Sequence, residues 1–235
     1  MRADILVFPG SNCDLDTEIA LREALPGWQV ERQWHDGAHL GESQFCVLPG
    51  GFAYGDYLRA GALAARSGAI AEVRRLIERG GLVLGICNGF QVLVEAGILP
   101  GAFQANTVQH FVCRDAHLRV ERARSPFLAD FAEGDVLTLP IAHQEGNYRL
   151  TADEYRRLKD EGRIAFTYCG PHGESGDEHN PNGSYAGVAG VLGAEGRVLG
   201  MMPHPERAAW PAVGRKDGLG ILAAALAPRL EGGGH

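Results

Sequence analysis

Gly81-Leu82-Val83-Leu84-Gly85-Ile86-Cys87-Asn88-Gly89-Phe90-Gln91 is the stretch that decides the fold. The apolar run Leu82–Ile86 has the length of a buried strand, and a helical pattern, Gly89–Ala96, follows with no loop between them. A buried strand turning straight into a helix is the repeating step of a parallel α/β sheet. Cys87 sits at that junction between Gly85 and Gly89, the G-x-nucleophile-x-G spacing of a nucleophile elbow. The glycines permit a tight, strained turn. The turn lifts the thiol clear of the sheet, and the helix N-terminus offers free N–H groups and positive potential, which favour a thiolate. The N–H of Asn88 is then placed to bind a developing oxyanion. By default a cysteine at a strand end is a small buried hydrophobe. The two glycines and the strand-to-helix switch favour the reactive reading here.

The same alternation continues on both sides. Ile5–Phe8 reads as a strand, Asp14–Leu25 as a helix capped by Asn12 or Asp14, and Gln29–Gln33 as a weaker strand. Phe45–Leu48 is a strand stopped by Pro49-Gly50-Gly51, and Ala69–Arg79 is a helix ended by Gly80-Gly81. Residues 107–150 read as antiparallel strands, including Leu118–Glu121 and Val136–Leu139. Thr151-Ala152-Asp153-Glu154 is a capping box for a short helix to Lys159. Ile164–Cys169, Val188–Leu192 and Val198–Met201 are further strands. Gly170–Ser184 reads as a long exposed loop or hairpin turning at Asn182-Gly183, and Lys216–Leu226 as a closing helix. The reading is an α/β chain with a mostly parallel central sheet, helices on both faces and a smaller antiparallel portion. One domain spans 1–230, with a disordered tail over 231–235.

At 235 residues the chain suffices for one sizeable α/β domain. Its net charge of -7 gives no electrostatic case for nucleic acid or an anionic membrane. No apolar run is long enough to span a bilayer, and MRADILVFPG reads as a first strand, not a signal peptide, so the expectation is a cytoplasmic protein. Five cysteines without C-x-x-C spacing give neither a disulfide framework nor a metal site, and Cys13, Cys46, Cys113 and Cys169 receive no role.

A nucleophilic thiol needs a base, and the base an orienting group. Pro203-His204-Pro205-Glu206 supplies both: two residues apart in extended backbone, His204 and Glu206 share a face. Alone, such a segment is usually a surface turn; paired with an elbow cysteine it completes a candidate triad. A second oxyanion donor would come from Leu48-Pro49-Gly50-Gly51-Phe52, where glycine lets a backbone N–H approach a substrate.

Phe45–Phe52, Gly85–Gln91 and Pro203–Glu206 together resemble the class I, triad-type glutamine amidotransferases. The stretches Pro9–Asp14, Gly51–Ala60, Asn106–Arg114, His143–Tyr148 and Asn180–Ser184 resemble more closely the glutaminase subunits of phosphoribosylformylglycinamidine synthase. That resemblance implies a flavodoxin-like fold with Cys87, His204 and Glu206 as triad and the N–H groups of Gly51 and Asn88 as oxyanion hole. It implies glutamine contacts from Gln91, Phe111 and, as an even alternative to a satisfied loop histidine, His143. It also implies a glutaminase that passes ammonia to a synthetase subunit making formylglycinamidine ribonucleotide in purine biosynthesis, with a small third subunit completing the complex. No cofactor belongs to this chain; ATP and magnesium would serve the partner, and no Walker-type phosphate loop is present here. The alternatives are a glutaminase serving another synthetase, a hydrolase of the elbow-cysteine kind, and a redox sensor that would leave His204 and Glu206 without a role.

Overall fold

A computed structural model describes residues 1–227; the expected tail at 231–235 lies outside the described residues. The first part of the chain alternates β1 (Arg2–Val7), α1 (Asp14–Ala24), β2 (Gln29–Trp34), β3 (Phe45–Leu48), α2 (Ala69–Glu78), β4 (Leu82–Ile86) and α3 (Asn88–Glu95). The second carries β5 (Ala102–Gln104), β6 (Val112–Val120), β7 (Val136–His143), β8 (Asn147–Arg149), α4 (Ala152–Asp160), β9 (Ile164–Cys169), β10 (Val188–Gly193), β11 (Val198–Met201) and α5 (Leu219–Leu222). One sheet runs in the order β2-β1-β3-β4-β11-β10-β9-β6-β7, and β5 pairs with β8 apart from it. From β2 to β11 every pairing is parallel; from β11 to β7 every pairing is antiparallel.

The parallel part begins β2-β1-β3-β4, the doubly wound order in which ligands lie at the carboxyl ends of the strands, near the reversal between β1 and β3. The β1-α1-β2 and β3-α2-β4 crossovers step in opposite directions along the sheet. With right-handed connections, α1 and α2 therefore cover opposite faces. Strands β3 and β11 are buried at every residue and β4 at all but its first, as strands covered on both sides must be.

Gly89 fixes how closely α3 can follow β4. A Cβ there would fall on the backbone carbonyl of Leu48 in the neighbouring strand β3. Gly89→Ala is expected to cost about 2–4 kcal/mol, because backbone rather than a flexible side chain must yield. Urea unfolding measures it; a cost below about 0.5 kcal/mol would show that the helix is free to back away.

Three local expectations are corrected. The residue before α1 is Cys13, and no side chain caps the helix. Asp14 is drawn instead to Arg32 at 2.9 Å, and Asn12 Oδ1 accepts from the Cys13 thiol. The closing helix starts at Leu219, not Lys216, because the residues before it are recruited elsewhere. Arg215 pairs with Trp210 backbone to backbone, Asp217 accepts from the Thr138 N–H at 2.8 Å, and the Gly218 N–H bonds the Ala208 carbonyl. The loop 170–184 is exposed over most of its first part, yet Pro181, Asn182 and Ser184 are buried. Asn182 makes no hairpin turn: its carbonyl accepts from Thr107 and its amide reaches the Tyr168 hydroxyl at 3.3 Å.

Candidate active site

Four loops at the carboxyl ends of β1, β3, β4 and β11 converge on one point. Cys87 follows β4 with φ +50° and ψ -105°, a strained conformation for a residue with a side chain. Its N–H donates to the Met201 carbonyl at 2.8 Å, locking the elbow to the end of β11. The sulfur lies 3.7 Å from the Ala142 carbonyl on β7, which reaches back over the site from the far edge of the sheet.

His204 and Glu206 follow β11. The His204 N–H bonds the Pro140 carbonyl at 2.8 Å, and Nδ1 meets Glu206 Oε1 at 2.6 Å. Both side chains are fully enclosed, and Nε2 of the ring makes no hydrogen bond among the described residues. Burial pushes the imidazole pKa down, but the negative charges of Glu206 and Cys87 outweigh it and hold the ring well above its usual value. The carboxylate thus fixes the tautomer and stabilises the imidazolium, while the free nitrogen is left for the thiol side.

Gly51 stands at φ +150°, and a Cβ there would press on the Ser11 backbone, with Cα at 2.7 Å. Only glycine is comfortable in that turn. The loop is pinned by Phe52 N–H to Gly10 O at 2.9 Å and by Asn88, whose side-chain oxygen accepts from the Ala53 N–H at 3.0 Å. Asn88 also donates to Asp56 at 3.1 Å and to Gln91 at 3.0 Å. One side chain therefore braces both the loop that carries Gly51 and the first turn of α3. Asp56 is pushed up to about 6 by burial and by the nearby charge of Glu145.

Gln91 is buried, with its amide spent on Asn88 and on the Glu145 carbonyl at 2.6 Å, so it ties α3 to the loop after β7. Phe111 is 43 % exposed just before Val112, the residue paired with His143 across β6 and β7. His143 is buried, and neither ring nitrogen has a hydrogen-bond partner among the described residues.

Sequence reasoning missed two neighbours of the triad. The Cys13 sulfur lies within 4.8 Å of the donor atoms of His204 and Glu206. Arg207 donates to that sulfur at 3.0 Å. By distance Cys13, His204 and Glu206 could hold a metal ion. Their atoms are already committed, however: Nδ1 to the carboxylate and the thiol sulfur to a guanidinium whose charge would repel a cation. The usable signal was position, since Cys13 lies in the loop after the first parallel strand, where such sheets place ligand contacts. A cavity of about 1450 Å³ opens on the antiparallel part, among Arg119, Thr167 and Leu192, and includes no triad member. Reactive groups in mutual reach, not volume, locate the chemistry.

The fold and this site define the class. Residues 1–214 match the family of CobB/CobQ-like glutamine amidotransferase domains. The phosphoribosylformylglycinamidine synthase subunit PurQ of Rhodopseudomonas palustris (strain HaA2) is 47% identical over 95% of this chain and 96% of its own. That of Aquifex aeolicus is 48% identical over 93% and 96%. A chain from the structure of PurLQS from Thermotoga maritima superposes with a TM-score of 0.83 at 39% identity, covering 96% of this chain and 97% of that one. The glutaminase domain of Trypanosoma brucei CTPS, at 14% identity and a TM-score of 0.60, shares the fold. The chain belongs to the family of PurQ subunits of phosphoribosylformylglycinamidine synthase.

Proposed function

We propose that the chain is the glutaminase subunit of phosphoribosylformylglycinamidine synthase. In this reading it hydrolyses glutamine to glutamate and ammonia, and its partner uses the ammonia to make formylglycinamidine ribonucleotide. The observation that carries the reading is the strained Cys87 elbow beside a histidine held as an imidazolium by Glu206.

The Cys87 thiolate attacks the amide carbon of glutamine, and the N–H groups of Gly51 and Asn88 stabilise the oxyanion. His204 gives a proton to the departing nitrogen, so ammonia leaves and a γ-glutamyl thioester remains. His204 then takes a proton from the attacking water, and collapse of the second tetrahedral species expels the Cys87 thiolate, releases glutamate and restores the starting thiolate and imidazolium. Glu206 holds the imidazole throughout. Gln91, His143 on β7 and the exposed Phe111 just before its paired residue Val112 are the candidates for glutamine contact.

The synthetase subunit, which in this reading binds ATP and magnesium, docks over the mouth of the site. The exposed Tyr57, Leu58, Val108 and Phe111, all in loops near the site, support that placement. A small third subunit completes the complex, and the reaction is cytoplasmic. Among the described residues no helix is long and apolar enough to cross a membrane.

The test supplies the partner synthetase with formylglycinamide ribonucleotide, ATP, magnesium and glutamine, with and without this chain. Glutamine-dependent product is expected only when both proteins are present, with the partner alone turning over added ammonium. Failure of the pair to use glutamine would overturn the reading and favour a glutaminase for another synthetase.

A further inference from the structure

His143 has two buried ring nitrogens, and among the described residues neither has a hydrogen-bond partner. A buried polar group left unpaired is costly, so these nitrogens call for a partner from outside the described residues. Its surroundings restrict what that partner is. Gly146 lies against the ring so closely that a Cβ there would fall on it. The backbone is fixed on both sides, with the His143 carbonyl accepting from Asn106 at 2.9 Å and the Gly146 N–H donating to the Asn106 oxygen at 2.9 Å. The ring is therefore held, not free to swing to solvent. The preceding residue, Ala142, puts its carbonyl 3.7 Å from the Cys87 sulfur.

When the thioester forms, a neutral ammonia molecule is left beside Cys87 with three N–H groups to satisfy in an enclosed site. The chain there offers the Ala142 carbonyl and, one residue along the same strand, an imidazole with no hydrogen-bond partner among the described residues. Building on the glutaminase reading, we infer that His143 is the side chain that receives the released ammonia, accepting a hydrogen bond from it and holding it until it passes to the partner. No bond is made or broken in this step. A group suited to it must stay uncharged, because an imidazolium would repel an N–H donor or convert ammonia into ammonium. Burial and the positive charge of His204 push His143 down to about 4, so the ring is neutral at working pH.

The test reads coupling in the complete complex, as glutamate released per amidine formed by the partner. Two variants are compared, His143→Leu and His143→Gln. Leucine removes both nitrogens at similar volume, and removing an unpaired buried polar group favours folding. The wild type is expected at about one glutamate per amidine, His143→Leu at about threefold or more, and His143→Gln, which keeps an acceptor, near one. A His143→Leu complex that stays at one, whatever its rate, overturns the inference. So does a His143→Gln complex as uncoupled as His143→Leu, which would mark a packing role. If the wild-type complex makes no amidine from glutamine, it is the glutaminase reading that fails, not the role of His143.

Discussion

Cys87→Ala is expected to abolish glutamine-dependent synthesis by the assembled complex, by about 10⁴-fold or more, and to leave ammonium-dependent synthesis near the wild-type rate. The size of the effect follows from covalent catalysis: without the sulfur no thioester forms, and the remaining oxyanion donors have nothing to act upon. The spared activity follows from the division of labour, because ammonium enters after the step that Cys87 performs. Alanine also relieves little of the elbow's strain, since it too carries a Cβ at φ +50°. Loss of both activities together would point instead to a failure of assembly.

Glu206→Gln is expected to lower glutamine-dependent kcat by about 10³-fold with a small change in KM. The neutral amide is close in shape but removes the negative charge that meets His204 at 2.6 Å. Burial of the ring, now opposed by less, pushes its pKa down. The variant should therefore lose its imidazolium, and its residual activity, at lower pH than the wild type loses either. The stability effect has a definite sign. Because Glu206 raises the folded-state pKa of His204, the stabilisation is complete below the unfolded value of about 6.5 and fades as pH rises through the folded one. Wild type and variant should differ most in unfolding free energy below the unfolded histidine value of about 6.5, and converge as pH rises through the folded one. A pH profile of kcat together with urea titrations checks both; parallel profiles would remove Glu206 from the mechanism.

The strands that position the triad were legible in the sequence because they are buried on both faces. Phe45–Leu48, Leu82–Ile86 and Val198–Met201 end at the residues the apolar runs indicated. The elbow was legible for a related reason: Gly85 and Gly89 report crowding that only a missing Cβ can solve. What stayed hidden depends on contacts between distant segments. Asp14 looks like a cap until Arg32 is beside it, and Asn182-Gly183 looks like an open turn until Thr107 and Tyr168 close over it. The placement of Cys13 and Arg207 against His204 and Glu206 joins the loop after β1 to the segment after β11, and no local pattern announces it. Nor does periodicity reveal that β7, at the sheet edge, returns to lay Ala142 over Cys87. The sequence could name the candidate triad because its members lie on strong local motifs; what β7 lays over the elbow is set by topology.

The most direct test of the central claim is to quench the working complex in acid during glutamine turnover and map the modified peptide by mass spectrometry. One glutamyl group bound as a thioester to Cys87, absent when glutamine is omitted, is the expected result. A glutamyl group on Cys13 or another residue, or turnover of glutamine by a Cys87→Ala complex, would contradict it.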